Sequence, residues 1–316
     1  MFGSASVLDW GVFAALLLLT TLLQALLFGR SARRISFREA SLRTVLWVLL
    51  GVGFTGWVYH RMGPDKALSY FIAYVVEESL SVDNLFVFLV IFSYFGIGER
   101  HQQRVLTWGI IGAMLMRGVF ILAGVALLQR FHFLAYIFGA ILIFTGIKLG
   151  LKKDDEGVDP SKNIALRLAK RYLRTTDEFD GERFFTIKNG QRYATPLLLV
   201  LIVVEFTDVV FAVDSVPAVL AISDDFYIVF TSNMMAILGL RALYFMLAGM
   251  MSRFKYLDVG LAVILTFIGV KMIAATAGWF KVPNLVSLSV IAGVLTIAIV
   301  VSLMRSKGEA SISEHE

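Results

Sequence analysis

The stretches YVVEESLSVDNLFVF (Tyr74 to Phe88) and VVEFTDVVFAVDSVPAV (Val203 to Val219) set six carboxylates, Glu77, Glu78, Asp83, Glu205, Asp208 and Asp214, into otherwise apolar sequence. In both, an acid stands six residues ahead of an aspartate that is followed by an amide or a hydroxyl: Glu77 ahead of Asp83-Asn84, Asp208 ahead of Asp214-Ser215. Everything depends on whether these runs lie in water or in hydrocarbon. The whole chain answers that. Of 316 residues 58% are hydrophobic and 17% charged, with mean hydropathy +0.78, whereas soluble domains are nearer half apolar and a quarter charged. A helical span takes about 20 apolar residues, so the composition predicts a polytopic membrane protein and excludes soluble-enzyme classes. No enzymatic activity is expected.

Apolar windows between charged residues predict nine transmembrane helices: Leu8 to Phe28, Val45 to Tyr59, Ala67 to Phe95, Val105 to Leu128, Phe133 to Leu151, Ala194 to Ile222, Phe226 to Met251, Tyr256 to Phe280 and Leu285 to Met304. The first is expected to be retained rather than cleaved, because no basic residue precedes it and its apolar run exceeds a signal-peptide core. With the N-terminus outside, 21 Lys and Arg fall in cytoplasmic loops and 4 in outer loops, the remaining Arg117, Lys148, Arg241 and Lys271 lying inside spans. That asymmetry predicts a cytoplasmic C-terminus. The net charge of +5 then reflects cytoplasmic loops, and no nucleic-acid partner is expected. All five Trp are expected near helix ends. Residues 152–193 read as a charged cytoplasmic linker with one short amphipathic helix around Ile164, Leu168, Tyr172 and Leu173, and the tail from Arg305 as unstructured.

The chain repeats internally. A shift of 123 residues carries Phe133-Leu134 onto Tyr256-Leu257 and Gly146-Ile147-Lys148 onto Gly269-Val270-Lys271. GAMLMRGVFILAG around Arg117 likewise resembles AILGLRALYFMLAG around Arg241. The expected layout is two N-terminal helices (1–66), a three-helix unit (67–151), the linker (152–193), a second three-helix unit (194–280), and a last helix with the tail (281–316). Three spans per unit make the second unit enter the membrane from the opposite side. Inverted repeats of this kind are common in secondary transporters, whose substrate sits near mid-membrane between the halves.

Each intramembrane acid costs several kcal/mol unless paired, protonated, hydrated or bound to a cation. Carboxylate, amide and hydroxyl oxygens suit Mn2+, Mg2+ or Ca2+. With no Cys, and with His60, His101, His132 and His315 expected in loops or the tail, a zinc or copper site is poorly supplied. The candidate metal ligands are Glu77, Asp83, Asn84, Glu205, Asp208, Asp214 and Ser215; Arg117 and Arg241 are expected to pair with the acids when no cation is present. On an unbroken helix Asp83 and Asp214 point about 120° away from Glu77 and Asp208, unless Pro217 breaks the later helix and turns carbonyls inward. Glu78 has no counterpart in the second unit and reads as peripheral; Lys148 and Lys271 are expected to snorkel.

At these residues the chain resembles the TerC family of integral membrane proteins, and within it a branch of bacterial manganese exporters. The motifs are EESLSVDN (Glu77 to Asn84), VEFTDVVFAVDSVPA (Val204 to Ala218), TSNMMAILGLRALYF (Thr231 to Phe245) and GLAVILTFIGVKM (Gly260 to Met272), and the likeness covers nearly the whole chain. The resemblance implies Mn2+ efflux across the bacterial inner membrane, with the seven candidate ligands falling on the family's acidic motifs. Gln24 stands where that branch often has an acid, and Glu78 where it often has none.

The expected function is therefore a secondary transporter that exports a hard divalent cation, Mn2+ first, by alternating access. Protons are the natural counter-ion. No ATP-binding motif and no organic cofactor are expected, and the partners are the cation, protons and the lipid bilayer. Two alternatives stand beside it: a membrane scaffold or stress-complex component that binds partners through its linker, and an exporter of Ca2+ or a cationic amino acid.

Overall fold

The computed structural model describes residues 5–28, 36–151, 163–188, 190–248 and 257–313. Among them are ten helices and one hairpin: α1 (Val7–Phe28), α2 (Phe37–Met62), α3 (Pro64–Tyr94), α4 (Glu99–Arg130), α5 (Leu134–Gly150), α6 (Ile164–Tyr172), β1 (Phe185–Lys188), β2 (Gln191–Ala194), α7 (Pro196–Leu220), α8 (Phe226–Ala248), α9 (Leu257–Thr276) and α10 (Asn284–Ser313). Each of the nine apolar windows falls on one long helix, and the tenth helix is α6. The chain is an all-α polytopic membrane protein.

By length and composition six of the helices can cross a membrane: α2, α4, α7, α8, α9 and α10. α5 is shorter, Leu134–Gly150, and the part of α1 with described side chains is Val7–Leu22. α3 has 31 residues, ample length, but carries Glu77, Glu78 and Asp83 in its middle. Those three acids lower the apolarity of α3 where the candidate site lies.

Two sequence expectations are corrected at the helix ends. α2 starts at Phe37 rather than Val45, because Ser36 caps it by accepting a hydrogen bond from Glu39 N. Trp47 is thereby moved into mid-helix and buried against α8, with its Cβ near Gly239, so it is no interfacial anchor. α10 continues to Ser313, so the tail is helical nine residues past Met304.

α8 forms the centre of the bundle, buried along nearly its whole length and packed against α2, α3 and α4. Around it α3 packs on α8, α4 on α7, and α5 on α9. The α5–α9 contact is the closest. A Cβ on Gly269 would stand 2.6 Å from Gly139 O, and one on Gly146 would stand 2.7 Å from Ala262 O. Glycines let helix backbones meet at this distance, which matters in lipid, where helix association rests on close packing rather than on a hydrophobic driving force.

The hairpin corrects the linker reading. β1 and β2 pair antiparallel with Phe185 opposite Ala194 and Lys188 opposite Gln191, around a turn in which Gly190 has φ +74°. The loop leading into the hairpin docks on the first turns of α4: Glu182 meets Arg100 and Arg104, and His101 stacks on Phe179 with Nε2 2.9 Å from Gly181 O. Leu166 and Ala169 of α6 join the same apolar cluster as Leu197 and Val200 of α7.

Candidate functional site

α4 carries Arg117 through the middle of the bundle, where its side chain is wholly buried. Its Nη1 meets Glu77 of α3, itself 0% exposed, while Nε and Nη2 donate to Asp208 Oδ2 and Oδ1 of α7 at 3.3 and 3.1 Å. Both guanidinium edges are thus engaged, the α7 edge as a two-pronged fork that fixes orientation as well as charge. One buried cation holds two carboxylates from two helices. Removing one partner of such a buried pair typically costs about 3–5 kcal/mol, because the remaining charge is left uncompensated.

Glu205 lies one turn from Asp208 on α7 and rests over Gly112 of α4, where a Cβ would strike its carboxylate. Between these residues is a cavity of about 10 Å³, lined among others by Phe88, Gly109, Ala113, Glu205, Asp208 and Ile237. That is on the scale of a single water-sized occupant. On α4 its lining runs from Leu106 to Ala113, on the N-terminal side of Arg117, and Glu77 is not part of it.

Several buried polar atoms have no hydrogen-bond partner: Glu77 Oε2, Ser81 Oγ, Asn84 Nδ2, Ser215 Oγ, and both amide atoms of Asn233. Such orphans are rare in folded proteins and call for a ligand, a water or an ion. Asn233 of α8 is 0% exposed. It lies one turn from Phe230, which meets Gly118 of α4, and one turn from the cavity-lining Ile237, so it shares the α8 stripe facing Arg117's helix. Sequence reading gave Asn233 no role; an amide inside the apolar run IVFTSNMMAIL was the available signal.

Not all candidates converge. α7 stays helical through Pro217 to Leu220, so Asp214 keeps its angular offset from Asp208 and points to another neighbour. There Thr145 Oγ1 of α5 donates to Asp214 Oδ1 at 2.7 Å. Asn84 and Ser215 are buried, at 5% and 2% exposed; the side chain of Asp83, like that of Gln24, lies outside the described residues. Arg241 is buried in α8. Glu78 faces α8 beside Gly239, with its Oε2 buried and without a hydrogen bond. Lys271 ends in a polar patch, donating to Ser287 Oγ at 2.9 Å. Met234 and Met235 pack in the apolar core of α8. Among the described residues no three acidic or imidazole side chains gather as a metal cluster.

The chain is similar to known proteins along its full length. An uncharacterized membrane protein of Myxococcus xanthus is 47% identical over 298 residues, covering 94% of this chain and 92% of the relative. A Salmonella typhi protein, provisionally named membrane-bound redox modulator Alx, is 45% identical over 302 residues, 93% of each chain. An uncharacterized membrane protein of Rickettsia bellii is 36% identical over 298 residues, 94% of this chain and 98% of its own. No solved structure matches. The model of the integral membrane protein TerC family matches residues 62–310, which takes in α3 with Glu77, α4 with Arg117 and α7 with Asp208; the chain belongs to the TerC family.

Proposed function

We propose that this protein is a secondary transporter that exports a hard divalent cation, Mn2+ before Ca2+ or Mg2+, in exchange for protons, and that α3–α5 and α7–α9 are its two inverted units. The observation that carries the reading is Arg117 held between Glu77 and Asp208, acids that stand at matching places in the two units. Glu77, Asp208, Glu205 and Asn84 offer oxygen donors only, the donor type of hard cations.

The packing map supports two related units. Exchanging α3 with α7 and α4 with α8 turns the α3–α8 contact into the α7–α4 contact, and both are present. The 123-residue shift carries Gly146 onto Gly269 and Gly139 onto Ala262, and the close approaches Gly146 to Ala262 O and Gly269 to Gly139 O exchange in the same way. With the N-terminus outside, the cavity beside Glu205 approaches the ion pair from the cytoplasm. In this reading Arg117 is a resident surrogate for the cargo. A divalent cation entering from the cytoplasm competes for Asp208 and Glu77, Arg117 yields them, and protonation from the outer side returns the carboxylates after release. Asp214, bonded to Thr145, lies away from this first encounter.

The name of the Salmonella typhi relative speaks of redox modulation. This chain has no Cys, so thiol–disulfide exchange within it is excluded, and any redox effect under the present reading runs through the metal moved. Proteoliposomes loaded with Mn2+ test the proposal: the wild type is expected to carry a pH-gradient-driven flux that Asp208→Asn and Glu77→Gln lower by at least about tenfold. A flux equally inhibited by excess lysine would favour the amino-acid alternative. No flux from wild-type protein, or full flux from both variants, overturns the reading.

A further inference from the structure

α6 has no part in the ion pathway, yet its faces are sharply sorted. At 100° per residue, Ala165, Ala169 and Leu166 fill one sector and are buried. Ile164, Leu168 and Tyr172 fill the next and are 54%, 47% and 77% exposed. Arg167, Lys170 and Arg171 fill the third, all exposed. A helix with a protein face, a bare apolar face and a basic face fits a boundary between protein, lipid and water.

Its depth is fixed by its neighbours. Leu166 and Ala169 pack in one cluster with Leu197 and Val200, the first turns of α7. The chain leaving α6 is pinned to the same place, since Ala194 N donates to Arg174 O at 2.7 Å and Thr176 N to Ala194 O at 3.0 Å, two residues before α7 begins. The bare stripe therefore stands level with the end of an apolar span, where the bundle's surroundings are the acyl–headgroup boundary. The basic sector beside it is complementary to anionic phosphodiesters.

We propose that α6 is an anionic-lipid site: Ile164, Leu168 and Tyr172 enter the cytoplasmic leaflet beside α7, and Arg167, Lys170 and Arg171 bind acidic headgroups. The site joins the charge of the leaflet to the helix that carries Asp208, and it stands independently of the transport reading.

Because the chain has no Cys, a single introduced thiol is a unique label. Full-length Leu168→Cys, carrying a nitroxide in nanodiscs of phosphatidylcholine with phosphatidylglycerol, is expected to collide with dissolved oxygen rather than with an aqueous nickel chelate. It should match Leu115→Cys, on the exposed lipid-facing side of α4, and differ from Ile187→Cys on the hairpin. In mixed-lipid nanodiscs the triple variant Arg167→Gln, Lys170→Gln, Arg171→Gln is expected to retain phosphatidylglycerol over phosphatidylcholine at least about tenfold less than wild type, since each basic residue near an anionic surface adds to the attraction. Nickel accessibility at 168 equal to that at 187 overturns the proposal. So does an unchanged lipid ratio in the triple variant, and so does oxidative cross-linking of Leu168→Cys into dimers, which would assign the face to a second copy.

Discussion

Arg117 shows how a single side chain can hold a bundle together from its centre. Its two carboxylate partners come from α3 and α7, so the interaction staples helices far apart in sequence, and under the transport reading it fills the place of the cation. Arg117→Gln is expected to lose about 3–5 kcal/mol of stability in metal-free buffer, because it leaves two buried carboxylates without their cation. Under the transport reading the same variant gains more from Mn2+ than the wild type does, because no guanidinium competes for the carboxylates. Thermal unfolding with and without Mn2+ measures both effects, and an equal Mn2+ shift in the two proteins would refute the competition. Asn233 calls for its own test. Asn233→Leu is near in size and removes two buried orphans, so it is expected to keep or raise the melting temperature while lowering Mn2+ flux; unchanged flux would make it a packing residue. The sequence revealed the acids readily, because carboxylates in apolar runs are too costly to be incidental. It did not reveal their partners. Whether Asp214 joins Asp208 turns on whether Pro217 breaks α7, and only the folded chain shows the helix running through it and Asp214 meeting Thr145.

Helix positions were readable to the extent that hydrophobicity alone sets them. The window for α4 lies within its helix and those for α7 and α9 overrun theirs by a few residues, Ala194 belonging to β2, while the start of α2 depended on the Ser36 cap and moved by eight residues. The hairpin was missed because its strands are only four residues each, in a segment dominated by charge. The dipeptide Asn189-Gly190 between them was the usable signal, being the commonest pair for a tight hairpin turn. Glycine placement is the feature of the elements that most directly invites a test. Gly269→Val is expected to force α9 off α5 and cost about 1–3 kcal/mol, since its Cβ would meet Gly139 O at 2.6 Å. Gly53, in α2, has open space where a Cβ would go, so Gly53→Ala serves as the control and is expected to be neutral or slightly stabilising. Melting temperatures in detergent compare the two; equal values would mean that α5 and α9 do not approach as closely as described.

At the scale of the whole molecule the two ends of the bundle are tied differently. At the α3 and α8 N-terminal end, Lys66 Nζ lies 2.7 Å from Asp225 Oδ2, and Arg61 Nε lies 2.9 Å from Asp9 Oδ1, joining α1 to α2 and α3 to α8. Toward the α4 N-terminal end lies the cavity lined by Leu106, Glu205 and Asp208. Read with the N-terminus outside, the Lys66–Asp225 and Arg61–Asp9 pairs tie the outer end and Glu182 with Arg100 and Arg104 ties the inner one, so under the transport reading the two sets of ties would yield in turn. Alternating access then requires the outer ties to yield. Exposed ion pairs contribute little each, but Asp225 is only 3% exposed at its side chain, so its bond to Lys66 is shielded and can bias the equilibrium between the two states. Ser215, buried near the outer end of α7, reports on that equilibrium when made the sole cysteine. An impermeant maleimide added outside is expected to label Ser215→Cys slowly, and to label it several-fold faster when Lys66→Gln is combined with it. Equal rates with and without the Lys66 change would mean that this latch does not govern outward opening, and the outer gate would have to be sought elsewhere in the bundle.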